Sequence, residues 1–178
     1  LNARVMRSIK SQRIKAESIL NGPVSTDSFD FGSQINGMPL LMDAVVLATM
    51  ASYVQGMDLL SIASSEYNYD LNLTSIAQIW KGGCIIRSRL LSRLQDAFNR
   101  DPELPNLLID SWFSDQVNRR LSGLSSVVEG AAKSGIPIPC FSSSLDYINT
   151  YRTSRLPQNF VQAMWACFGT QTYPSTEK

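Results

Sequence analysis

The sequence predicts an all-α fold of roughly seven helices around one long central helix. Three observations carry this. Apolar residues recur at helical spacing along most of the chain, as Leu73, Ile76, Ala77 and Trp80 do, and again Ile86, Leu90, Leu94 and Phe98. No stretch alternates apolar and polar residues as a half-buried strand does, and no repeat of fixed period is present. Glycines and prolines fall between the periodic segments, where they punctuate helices.

In chain order, Val5, Ile9, Ile14 and Leu20 lie among basic residues and predict an amphipathic helix that ends at Asn21-Gly22-Pro23. Residues 23–37 read as a surface loop. Residues 39–67 form the central helix. Leu40, Ala44, Leu47, Ala51, Val54 and Leu60 cover so much of its circumference that burial on most sides is expected. Asn68-Tyr69-Asp70 breaks it, and Thr74 marks the N-cap region of a short helix leading to Gly82-Gly83. The next helix is expected from Ile86 to about Asn99, and another from about Pro105 to Ser134. Ile136-Pro137-Ile138-Pro139 cannot be helix interior, because proline lacks a backbone donor and clashes with the preceding turn. Phe141, Leu145, Ile148 and Tyr151 mark one further helix. Phe160, Val161, Met164 and Phe168 mark the last, which closes at Gly169.

A chain of 178 residues suits one all-α domain, residues 1–178. It starts without Met directly in a helix pattern, so it is expected to be an excised piece of a longer protein. The net charge of +1 gives no global field to draw nucleic acid or an anionic membrane. No run reaches the roughly 18 apolar residues of a membrane span. Without histidine, the commonest near-neutral general base and zinc ligand are both missing. Asp43 and Asp58 stand too far apart on one helix to form an acid–base pair. No catalytic residue, metal site or cofactor site is therefore expected in this chain. Cys84, Cys140 and Cys167 form no CxxC pair and read as small buried hydrophobes in a reducing, cytoplasmic compartment.

The segment Ile79-Trp80-Lys81-Gly82-Gly83-Cys84-Ile85-Ile86-Arg87-Ser88 reads as a helix junction, and its glycines lack the strand and spacing of a phosphate loop. This decapeptide resembles the 6-phosphogluconate dehydrogenase family, in its all-helical C-terminal domain. Other segments resemble the family in the same order: Ala3-Arg4 with Gly22-Pro23, Asp96 to Arg100, Gly135 to Phe141, Tyr151-Arg152 and Phe168-Gly169.

The resemblance implies a helical domain that supplies substrate contacts and most of a homodimer interface. NADP, with the catalytic lysine and glutamate, would belong to parts of the family's protein outside this chain. It implies that Arg4 binds the sugar phosphate, a role for which the guanidinium fork is suited. The family's partner subunit completes that site with an arginine and a histidine, and here those positions are Trp165 and Gln171. Three readings stay open: an ordinary NADP-dependent decarboxylating dehydrogenase fragment, a divergent homologue with another small-molecule ligand or chemistry, and a non-catalytic dimerisation module.

Overall fold

A computed structural model of the chain describes residues 9–22 and 37–169. Among the described residues there are seven α-helices, one 3-10 turn and no strand. The helices are α1 (Lys10–Glu17), α2 (Gly37–Tyr67), α3 (Leu73–Ile79), α4 (Leu90–Arg100), α5 (Ser111–Lys133), α6 (Pro139–Tyr151) and α7 (Gln158–Cys167), with the 3-10 turn at Leu107–Ile109. The core is the space between α2, α5 and α6, closed at one end by the α3–α4 pair.

α2 starts at Gly37, before Pro39, because the first-turn N–H groups of a helix have no intrahelical partner and proline's missing donor costs nothing there. One face of α2 is fully buried, with Ala44, Leu47, Ala51 and Val54 at 0–1% exposure. Burial on most sides is not observed. Met38, Met42, Val45 and Leu59 are between 42% and 68% exposed, because α5 and α6 cover only one flank. By length and composition α2 could cross a membrane, a test that the core helix of a helical bundle also passes. It ends in a Schellman closure: Asn68 takes a left-handed φ of 54°, and the Tyr69 N–H donates to the Ser64 carbonyl at 3.0 Å.

Asn72, not Thr74, caps α3, its Oδ1 accepting from the Ser75 N–H at 2.8 Å. The junction after Trp80 is irregular through Arg89, with Gly83 at φ 64°. Helix resumes at Leu90 rather than at Ile86. The Tyr53 hydroxyl of α2 donates to the Ile86 carbonyl, and Ser88 Oγ accepts from the Leu90 N–H, so both groups serve the loop. Leu91, Leu94, Ala97 and Phe98 of α4 enter the core.

α5 begins at Ser111, later than the expected Pro105, because Asp110 is its N-cap and the 3-10 turn precedes it. α2 and α5 approach so closely that a Cβ on Gly123 would lie 2.8 Å from the Asp43 Cβ. Beside this contact Arg120 pairs with Asp43 at 3.3 Å. Gly135, at φ 65°, closes α5, and Pro139 opens α6 in its first turn. α1 ends at Glu17, one turn before Asn21. The cysteines are not buried: Cys84 is half-buried, and Cys140 and Cys167 are exposed, since they sit at the first turn of α6 and the last turn of α7.

Candidate functional site

Of the three positions singled out by the sequence, Trp165 lies on α7, while Arg4 and Gln171 lie outside the described residues. α7 buries no residue. Phe160, Val161, Met164, Trp165 and Phe168 are between 44% and 77% exposed, and the helix carries no charged side chain. A surface of this kind favours an aromatic or apolar contact. It offers no cation to a phosphate dianion, and charge-assisted hydrogen bonds of about 1.5–3 kcal/mol each would have to come from elsewhere.

The Gly-Gly junction is held by a fan of polar bonds. Lys81 Nζ donates to Gln95 Oε1, and Gln95 Nε2 donates to Gln78 Oε1 at 2.9 Å and to the Thr74 carbonyl at 3.2 Å. Arg93 stacks 5.3 Å from the centre of the Trp112 ring and pairs with Asp96 at 3.7 Å. These partners make the junction a braced corner.

Two clefts flank this corner. One, about 370 Å³, is apolar and lined by Thr49, Ser52, Tyr53, Gly56, Trp80 and Ile86. The other, about 800 Å³, lies where the end of α2 meets α3 and α4 and is lined by side chains such as Ser61, Ser64, Asn68, Thr74 and Asn99. Neither was anticipated from the sequence. The first is assembled from α2 and the junction and the second from three helices, although the small residues Thr49, Ser52 and Gly56 at spacings of three and four were a readable sign of the first.

The buried polar groups are structural. Asp110 accepts from the Trp112 N–H at 3.0 Å, from the Phe113 N–H at 3.3 Å and from Arg100 at 2.5 Å. Asn106 caps the 3-10 turn through the Leu108 N–H and donates to the Tyr147 hydroxyl at 3.0 Å. Burial pushes the Tyr147 phenol above its usual range, against the lowering effect of the Asn106 bond. Among the described residues no three His, Cys, Asp or Glu side chains converge on a metal position. No strand precedes a glycine-rich loop there either, so these residues do not form a dinucleotide cradle.

Comparison with known proteins gives this geometry a family. The family described as 6-phosphogluconate dehydrogenase, C-terminal domain, matches residues 1–178. The decarboxylating 6-phosphogluconate dehydrogenase of Synechocystis sp. is 46% identical over 178 residues, 100% of this chain and 36% of the relative. The NADP(+)-dependent, decarboxylating enzyme of Bacillus subtilis is 39% identical over 176 residues, 99% of this chain and 37% of the relative. A solved Plasmodium falciparum 6-phosphogluconate dehydrogenase, studied in apo form and with NADP+ and 6-phosphogluconate, superposes with a TM-score of 0.84 at 40% identity, over 100% of this chain and 38% of that one. The chain thus spans little more than a third of the length of the relatives it matches. A match along all 178 residues, an all-helical fold and a solved relative of the same shape agree: the chain belongs to the 6-phosphogluconate dehydrogenase family, within its C-terminal domain.

Proposed function

We propose that this chain is the C-terminal helical domain of a longer NADP-dependent, 6-phosphogluconate dehydrogenase-like protein. It supplies substrate contacts and subunit contacts, while NADP and the reacting acid and base are held elsewhere in the polypeptide. The observation that supports this best is the unbroken similarity over residues 1–178 to relatives named as decarboxylating 6-phosphogluconate dehydrogenases. The protein is a homodimer in this reading, since the family's substrate site is completed across subunits. It works in the cytoplasm, in keeping with three free thiols.

A second reading follows from α7. Arg4 keeps the family's phosphate-binding arginine, but Trp165 and Gln171 stand where the family has an arginine and a histidine. The site loses one fixed and one titratable positive charge and gains a flat apolar ring. We infer that this site holds 6-phosphogluconate weakly and is altered in ligand or chemistry. Titration calorimetry of the intact protein tests this. We expect no micromolar binding of 6-phosphogluconate, and recovered binding in the double variant Trp165→Arg/Gln171→His. Micromolar affinity of the unmodified protein would show that the ordinary substrate is retained. No gain in the double variant would show that these two positions are not the family's phosphate ligands.

A further inference from the structure

We draw no further inference here: the strongest candidate, the polar cleft of about 800 Å³ where the end of α2 meets α3 and α4, with Asp70 and Glu103 among its lining, carries nothing, because among the described residues no buried polar side chain is left unpartnered to aim at a ligand, and nothing in the structure shows what covers the cleft in a chain that spans 36% of a matched relative.

Discussion

Asp110 shows how much one side chain does in this fold. Its carboxylate caps α5 through two backbone N–H groups and accepts from Arg100, while being only 7% exposed. An N-cap is worth about 1 kcal/mol and a charge-assisted bond about 1.5–3 kcal/mol, the latter discounted here because Arg100 is half exposed. Asp110→Ala should therefore cost about 2–3 kcal/mol, read as a lower urea midpoint at unchanged slope. Asp110→Asn, which keeps an oxygen for the cap, should cost about half as much. The sequence carried the sign of this residue, an aspartate just before the apolar run Trp112-Phe113, but the nearby Pro105 competed for the role of helix start. At Trp165 the sequence showed the helix, which the structure also has. Whether Arg4 and Gln171 come near it was not legible, since sequence spacing says nothing about how distant segments converge.

At the level of elements, the α2–α5 contact depends on Gly123. Alanine there would press its methyl against the Asp43 Cβ. Overpacking costs about 1–3 kcal/mol, and the helix propensity gained is about 1 kcal/mol. Gly123→Ala should thus destabilise the domain by up to about 2 kcal/mol, measurable by thermal denaturation. Gly123→Leu should disrupt the pair of helices outright. Helix existence was legible almost throughout because 3.6-residue periodicity is a local property. Three of the boundaries that differed, at Ile86, Thr74 and Pro105, differed where a side chain bonds backbone: Tyr53 and Ser88 at the junction, Asn72 at α3 and Asp110 at α5. The two apolar faces of α2 were visible as a nearly continuous apolar circumference. Which partner covers each face was not, because periodicity measures where a helix is apolar and not what lies against it.

For the whole molecule, division of labour is the main expectation. Residues 1–178 contain no histidine, and the described residues form no dinucleotide cradle. The purified chain with NADP and 6-phosphogluconate should give no rise in absorbance from reduced cofactor. Reduction by this chain alone would refute that division. The family was legible in the sequence because its motifs are contiguous words such as the Gly-Gly junction. The polar and apolar clefts were not, because they exist only after distant helices meet.

The pairing of Asp43 with Arg120 and Gly123 also sets the order of events in synthesis. About 80 residues separate the two sides of that contact, and closing so long a loop carries an entropic cost that only the finished core repays. The α3–α4 pair lies between them and is local, so it can assemble as soon as it emerges. The buried face of α2 has no α5 to meet until residues up to Lys133 have left the ribosome. At about 5–20 residues per second, the most apolar helix of the chain then waits several seconds for its partner. During that interval both of its faces are bare, and a chaperone that binds apolar helices should be found on chains stalled before residue 111 and released from those that extend past α6.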